Sequence, residues 1–204
     1  MKTNQEKVSY LIGRQIAGNL LTQKLDLISE FLFKGIEGGL NDEEMLLEPE
    51  EAKSIFEAFQ NEMDAKLNEE TKVFAEMNQK AGEEFLAENA KKDGVIAIDS
   101  GIQYKVLTEG SGEIPKGTDT VETHYEGSLI DGEVFDSSIQ RGESISFPVG
   151  GVIQGWQEVL QLMPVGSKWE VFIPGHLAYG EAGSPPKIGP NATLVFIVEL
   201  IAIV

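Results

Sequence analysis

The sequence predicts two domains: an all-α N-terminal module that ends in a long connecting helix, and a C-terminal α+β domain. In the second domain an antiparallel half-barrel sheet is expected to wrap around a short helix. Residues 1–94 hold one of the eight prolines and seven of the 22 glycines, whereas residues 95–204 hold the rest. Apolar residues recur every three or four positions in the first part and alternate with polar residues in the second.

The first 48 residues predict two short helices. An apolar stripe marks the first helix, at Val8, Leu11, Ile12, Ile16 and Leu20. Gly13 and Gly18 weaken this segment, which leaves open whether it forms one helix or two. The second helix is predicted to have Asp26 as its N-cap and to stop at Gly38 and Gly39.

A third helix is predicted from Pro49, which suits the first helical position, to Gly94, which suits a stop. Some 40 helical residues would extend about 60 Å, and two short helices cover only part of that length. Either the helix folds back on itself, or two chains bury their apolar stripes against each other. We favour the homodimer, because fewer than 50 residues of helix rarely form a core alone.

The charge of the chain excludes several kinds of partner. The net charge is −18, divided equally between residues 1–94 and 95–204. We expect no nucleic-acid partner, because phosphate binding requires clustered Lys and Arg. The chain has no cysteine, so disulfides and thiol catalysis are excluded. The two histidines, His124 and His176, are isolated, and we expect no metal and no cofactor.

The first 23 residues lack the continuous apolar core of a signal peptide or a transmembrane span. Gly13, Arg14, Gln15 and Asn19 interrupt the segment. We therefore expect no membrane association and, by default, a cytoplasmic location.

Between residues 95 and 204 the pattern predicts five strands and one short helix. Four strands are marked by alternating positions: Ile102, Tyr104 and Val106; Val121, Thr123 and Tyr125; Ile145 and Phe147; Trp169, Val171 and Ile173. The run from Ala192 to Val204 is apolar on both faces and suits a central strand. The helix covers Gln154 to Leu160, and a long loop runs from Gly175 to Asn191.

Two motifs in this domain predict a pocket for an uncharged, apolar group. FDSS (135–138) and GGVIQGW (150–156) bring an aromatic ring, a carboxylate, two aliphatic side chains and a tryptophan into one short stretch. The stretch has no cysteine, no histidine pair and no basic cluster. This inventory argues against hydrolysis, phosphoryl transfer and metal chemistry.

The segments VETHYEGSLIDGEVFDSS, GGVIQGWQEVLQLMPVGSKWEVFIP, LAYGEAG and ATLVFIVEL resemble, in order and spacing, the FK506-binding-protein (FKBP) type of peptidyl-prolyl isomerase. The resemblance implies an FKBP-like domain at residues 95–204 that rotates X–Pro bonds. The preceding part resembles the dimerisation domain (1–48) and long connecting helix (49–94) of the macrophage-infectivity-potentiator-like bacterial members. A homodimer that binds partly folded, proline-containing proteins is implied.

The resemblance also implies a role for each pocket residue. Trp156 is expected to form the floor beneath the prolyl ring. The expected walls are Tyr125, Phe135, Phe147, Val152, Ile153 and Phe196, with Ile188 at the rim. The N–H of Ile153 and the hydroxyl of Tyr179 are expected to donate to substrate carbonyls.

Asp136 is expected at the edge of this pocket, where it orients Tyr125 or Arg141 or contacts the twisted amide. Taken alone, Asp136 before two serines could equally cap a turn or a helix. The sequence departs from the small single-domain members at the rim and loop, at Ile145, Gly151, Ser184 and Lys187.

Two further expectations concern ligands. The resemblance implies that a macrolide such as FK506 or rapamycin inhibits the enzyme by binding in this pocket. The alternative to an enzyme is a non-catalytic chaperone or adaptor that grips apolar segments through the same pocket.

Overall fold

The computed structural model describes residues 1–23 and 25–204, which contain five α-helices and seven strands. The helices are α1 (Asn4–Thr22), α2 (Ser29–Leu40), α3 (Pro49–Asn89), α4 (Ser138–Arg141) and α5 (Gln154–Leu160). The strands are β1 (Val95–Ala97), β2 (Gln103–Thr108), β3 (Thr120–Leu129), β4 (Val134–Ser137), β5 (Ile145–Pro148), β6 (Lys168–Ile173) and β7 (Leu194–Ile203). The predicted fold class is confirmed.

All the strands pair antiparallel in one open sheet, in the order β1-β2-β6-β7-β3-β4. The ten-residue β3 is long enough to pair on its second edge with β5 near its start and with β4 near its end. The last apolar run is central, as predicted, because β7 pairs with both β3 and β6. The sequence pattern missed β1 and β4, which have only three and four residues.

The hydrophobic core lies between the concave face of the sheet and α5. Along β3 every second residue is buried, beginning at Val121 and including Tyr125. α5 spans the same residues that the sequence predicted, and it buries Trp156, Val159 and Leu160. The core therefore places Trp156 directly against the sheet.

α1 is a single helix despite its two glycines. A capping box starts it: the Thr3 side chain accepts from the Glu6 N–H, and the Glu6 carboxylate accepts from the Thr3 N–H. No residue of α1 or α2 is buried in the described chain, and Leu11 and Phe31 are 63% and 62% exposed. The apolar stripe of this segment is thus uncovered in a single chain.

Both predicted ends of α2 are wrong. The helix begins at Ser29, and its N-cap residue Ile28 makes no side-chain hydrogen bond, so Asp26 is not the cap. It continues through Gly38 and Gly39 to Leu40. A glycine lowers helix propensity by about 1 kcal/mol but does not interrupt the backbone hydrogen bonds.

α3 is continuous over 41 residues and begins at Pro49, as predicted. It ends at Asn89 rather than at the predicted stop, Gly94. The Asn89 side chain is 1% exposed and donates to Gln103 Oε1 over 3.0 Å, which anchors the helix end on β2. Gly94, with φ of 80°, instead belongs to the turn that leads into β1.

The structure divides into two compact units, Met1–Gln60 and Asn61–Val204. The boundary falls within α3, so the second unit contains the final part of this helix as well as the sheet. The division into residues 1–48, 49–94 and 95–204 stays a prediction. No helix in the described part of the chain is both long and apolar enough to cross a bilayer.

Candidate active site

Trp156 lies at the centre of the site, in the first turn of α5. Its backbone N–H donates to the carbonyl of Ile153 over 2.9 Å, and the side chain is 5% exposed. Beneath it lie Val159 and Leu160 of the same helix together with Val171 and Val198 of the sheet. Apolar residues on three elements, α5, β6 and β7, therefore pack against the indole.

Three aromatic rings stand edge-on around this indole. The ring centroids of Tyr125, Phe147 and Phe196 lie 5.4, 5.9 and 5.4 Å from that of Trp156, at interplanar angles of 89°, 80° and 83°. Phe135 packs edge-on against Phe196, with their centroids 5.7 Å apart. Edge-to-face packing is a favourable arrangement of aromatic rings, and here it produces a rigid apolar cluster.

A carboxylate network borders the cluster. The Tyr125 hydroxyl donates to Asp136 Oδ2, and the Arg141 guanidinium donates to Asp136 Oδ1. Arg141 Nη2 also lies 3.4 Å from the Tyr125 hydroxyl oxygen. Asp136 thus bonds to both Tyr125 and Arg141, which the sequence analysis gave as alternative partners.

This network shifts two pKa values in opposite directions. Burial alone would raise the pKa of Asp136, but hydrogen bonds from Tyr125 and Arg141 lower it below its ordinary value. Desolvation, and then the hydrogen bond to Asp136, raises the pKa of Tyr125. Both shifts favour the ionised form of the Asp136 carboxyl and the neutral form of the Tyr125 phenol.

The two serines of the FDSS motif have structural roles that the sequence did not resolve. Ser137, not Asp136, caps α4 by accepting from the Gln140 N–H over 3.1 Å. Ser138 is fully buried, accepts from the Tyr125 N–H over 2.7 Å and donates to the Tyr125 carbonyl over 3.2 Å. Ser138 therefore fixes the backbone that carries the Tyr125 ring.

The remaining predicted site residues lie around the cluster. Val152 and Ile153 are half-buried and pack against the core. Ile188 is 5% exposed and packs within the core cluster, and its place at the rim of the pocket stays a prediction. Tyr179 is 41% exposed and lies in the long loop after β6.

Lys187 joins this loop to β4. Its ammonium donates to the backbone carbonyl of Phe135 over 2.7 Å. The sequence marked Lys187 only as a departure from the family pattern, because nothing local indicates a partner 52 positions away.

Gly127 is a site residue that the sequence analysis missed. It pairs with Asp136 on β4 and with Phe196 on β7. A Cβ atom here would lie 2.6 Å from the ring of Phe135 and 2.7 Å from that of Phe196. A glycine inside a strand pattern is the available signal for such a close approach.

We expect Gly127→Ala to displace these two rings. Overpacking of this kind costs about 1–3 kcal/mol in the free energy of unfolding, and we expect kcat/KM to fall several-fold. Gly117→Ala is the matched control, because its Cβ would meet its nearest neighbour at an ordinary 3.4 Å. Thermal unfolding and a protease-coupled peptide assay measure both effects. If Gly127→Ala and Gly117→Ala have the same unfolding midpoint and the same kcat/KM, Gly127 does not determine the positions of the two rings.

The described residues contain no group of three His, Asp or Glu side chains arranged to hold a metal ion. The site combines a cluster of packed aromatic rings around Trp156 with a charged edge formed by Asp136 and Arg141. Such a site can receive an apolar ring and hold the polar groups beside it.

Comparison with known protein families decides the identity. Residues 111–201 match the family described as FKBP-type peptidyl-prolyl cis-trans isomerase. Residues 5–106 match the domain amino-terminal to FKBP-type peptidyl-prolyl isomerase. The chain belongs to the FKBP-type peptidyl-prolyl cis-trans isomerases.

Individual relatives agree with this assignment over the whole chain. Outer membrane protein MIP of Legionella longbeachae is 41% identical over 100% of this chain and 87% of its own length. The FKBP-type 22 kDa peptidyl-prolyl cis-trans isomerase of Escherichia coli is 44% identical over 98% of this chain and 96% of its own. The crystal structure of FkpA from Escherichia coli superposes with a TM-score of 0.78 at 36% identity and covers 100% of this chain and 98% of that one.

These comparisons confirm the family resemblance and the prolyl isomerase activity of this FKBP-type chain. They contradict the predicted cytoplasmic location, since the relative from Legionella longbeachae is named an outer membrane protein. That prediction rested only on the lack of a continuous apolar stretch near the start of the sequence. Such an absence does not determine a compartment.

Proposed function

We propose that this FKBP-type enzyme works as a homodimer that rotates X–Pro bonds in partly folded proteins. In each chain the prolyl ring rests on Trp156, between the edges of Tyr125, Phe147 and Phe196. The observation that carries the proposal is the edge-on enclosure of Trp156 beside the carboxylate network of Asp136.

Rotation about the X–Pro bond requires a dry apolar environment and no reactive side chain. The barrier to X–Pro rotation is about 18–20 kcal/mol, because the partial double bond of the amide must be broken. The twisted amide is less dipolar than the planar one, so a dry apolar pocket favours it relative to the ground state. A reduction of about 4 kcal/mol accelerates rotation roughly a thousandfold.

The polar edge holds the peptide on either side of the proline. We assign the backbone N–H of Ile153 and the hydroxyl of Tyr179 as donors to substrate carbonyls. Ile153 is the N-cap residue of α5, and an N–H at that position has no partner within its own helix. Asp136 orients Tyr125 and Arg141, so that the wall beside the twisting bond stays fixed.

The N-terminal segment supports the homodimer. α1 and α2 bury none of their residues, although their apolar side chains include Ile12, Ile16 and Phe33, which are 53%, 42% and 65% exposed. A second copy of the chain brings a matching apolar stripe. Two linked pockets then hold one client at two points, which raises effective concentration without any new contact.

Charges introduced into the stripe test this arrangement. The double variant Ile12→Glu, Ile16→Glu is expected to lower the mass in solution to that of one chain and to slow refolding of a proline-limited protein several-fold. Activity on a short peptide is expected to stay unchanged, because the pocket is untouched. Arg14→Glu changes the net charge equally on the opposite side of the helix and is the control.

Two results count against the dimer. One is a single-chain mass for the unaltered protein, and the other is refolding by the double variant at the rate of the control. A loss of peptide activity in the double variant would instead show that the stripe supports the pocket itself.

A macrolide such as FK506 is expected to compete with the peptide for the surface of Trp156. Titration in the peptide assay gives an inhibition constant, and Trp156→Leu should weaken it. Inhibition that is unaffected by this substitution would place the macrolide elsewhere.

A further inference from the structure

The loop from Gly175 to Asn191, which carries Tyr179, is closed by its own hydrogen bonds. The Asn191 N–H donates to the Gly180 carbonyl over 2.7 Å, which joins the end of the loop to the residue beside Tyr179. Further along, the backbones of Ser184 and Ile188 bond to each other over 2.8 and 3.1 Å. The position of Tyr179 therefore depends on where Asn191 is held.

α3 contacts this loop through Asn78. The Asn78 side-chain amide donates to the backbone carbonyl of Pro190 over 2.8 Å, across 112 positions of sequence. A carbonyl can only accept, so the amide must present its nitrogen. Pro190 immediately precedes Asn191, so the contact lies one residue from the bond that fixes Gly180.

Close packing on both sides of this bond leaves Asn78 little freedom. A Cβ on Gly189 would lie 2.9 Å from the Asn78 nitrogen. One turn further along α3, Gly82 is buried against Thr193, where a Cβ would lie 2.1 Å from the Thr193 hydroxyl oxygen. The helix backbone is thus in direct contact with the chain on the far side of Asn191.

We propose that Asn78 is a positioning residue for prolyl isomerisation. It holds Pro190 and Asn191, and through them Gly180 and the hydroxyl of Tyr179, at the distance that a substrate carbonyl requires. The inference rests on the proposed role of Tyr179 as a donor. It adds a residue of the connecting helix to the determinants of the reaction.

Asn78→Ala removes the contact and keeps good helix propensity. We expect kcat for an Xaa-Pro peptide to fall about fivefold, as for the loss of one ordinary hydrogen bond, while KM changes little. Hydrogen exchange at the Asn191 amide should become faster. Gln79→Ala is the matched control, because the Gln79 amide donates to Glu83 of its own helix and makes no hydrogen bond to the loop.

A double-mutant cycle with Tyr179→Phe separates positioning from a general structural role. If Asn78 acts through the Tyr179 hydroxyl, Asn78→Ala has no further effect on kcat in the Tyr179→Phe background. If the two substitutions lower kcat independently, so that their factors multiply in the double variant, the inference is overturned while the role of Tyr179 stays intact. A normal kcat for Asn78→Ala would overturn it in the same way. A fully active Tyr179→Phe enzyme would instead remove the proposed donor, and the inference with it.

Discussion

Asp136→Ala is expected to lower kcat/KM for an Xaa-Pro peptide by at least about tenfold, because it removes the acceptor that fixes one wall of the pocket. The Tyr125 hydroxyl and the Arg141 guanidinium both donate to this carboxylate. Without it, the Tyr125 ring loses its orientation beside Trp156, and a mobile cation remains next to the bound amide. Protease-coupled kinetics at several peptide concentrations would show the loss mainly in kcat.

Stability should change much less than activity. The Asp136 and Arg141 side chains are 40% and 45% exposed, so solvent screens their attraction. We expect the midpoint of thermal unfolding to fall by less than about 5 °C. Glu133→Ala, which removes an exposed charge from the turn before β4, serves as the control.

Asp136→Asn distinguishes charge from shape, since the amide keeps an acceptor oxygen for Tyr125. We expect activity between those of the parent and Asp136→Ala. Equal activity of the parent and Asp136→Ala would show that the carboxylate has no part in the reaction.

The lowered pKa of Asp136 gives this variant a second signature. A carboxyl whose pKa is lower in the folded state contributes stability above its unfolded pKa of about 4, and loses it as pH falls through the folded pKa. Between pH 5 and 8 this contribution is constant. Below about pH 4, Asp136→Asn should lose less stability than the parent, as measured by thermal unfolding. Parallel curves for the two proteins would contradict the shift.

The parts of the fold that the sequence predicted well are those specified by local pattern. α5 was placed from Gln154 to Leu160 because its apolar residues have helical spacing between glycine-rich segments. The long strand β3 was visible from its alternating pattern, and β7 from a run that is apolar on both faces. Two short motifs drew attention to Phe135 and Trp156, whereas the rings around Trp156 were assigned from the family resemblance.

The parts that were missed depend on contacts between distant residues. The end of α3 is set by the Asn89 side chain on Gln103, which no local signal near Gly94 reveals. Position 127 must be glycine because rings from two other strands leave no room for a Cβ atom. The partner of Asn78 is a carbonyl in a loop more than 100 positions away. Periodicity describes which face of an element is buried but not what it is buried against.

The final part of α3 is such a case, since the sequence treated it as a connector alone. Phe85 packs on Phe172 of β6, with their ring centroids 5.9 Å apart, and Phe172 is 4% exposed. Gln103 donates to the Leu86 carbonyl over 2.8 Å and accepts from Asn89 over 3.0 Å. This end of the helix therefore covers the outer face of the sheet.

Removing residues 1–94 would uncover Phe172 and leave Gln103 without its partners. Burial of a phenylalanine side chain contributes about 1.5–3 kcal/mol and each hydrogen bond about 0.5–1.5 kcal/mol. We expect residues 95–204 alone to be about 3–5 kcal/mol less stable than residues 61–204 in urea unfolding. Residues 75–204 keep every contact described from Asn78 to Asn89, so they should match 61–204.

The relative stabilities of the three fragments against urea decide where the catalytic domain begins. If 75–204 and 61–204 unfold at the same urea concentration and 95–204 unfolds at a much lower one, the domain includes the last turns of α3. Any deletion made to test the N-terminal segment must then keep those turns. Equal stability of all three fragments would show that the helix rests on the sheet without supporting it, and the boundary predicted at residue 95 would hold. Because Asn78 lies in the same stretch of α3, the part of the helix that covers the sheet is also the part proposed to position the loop of Tyr179.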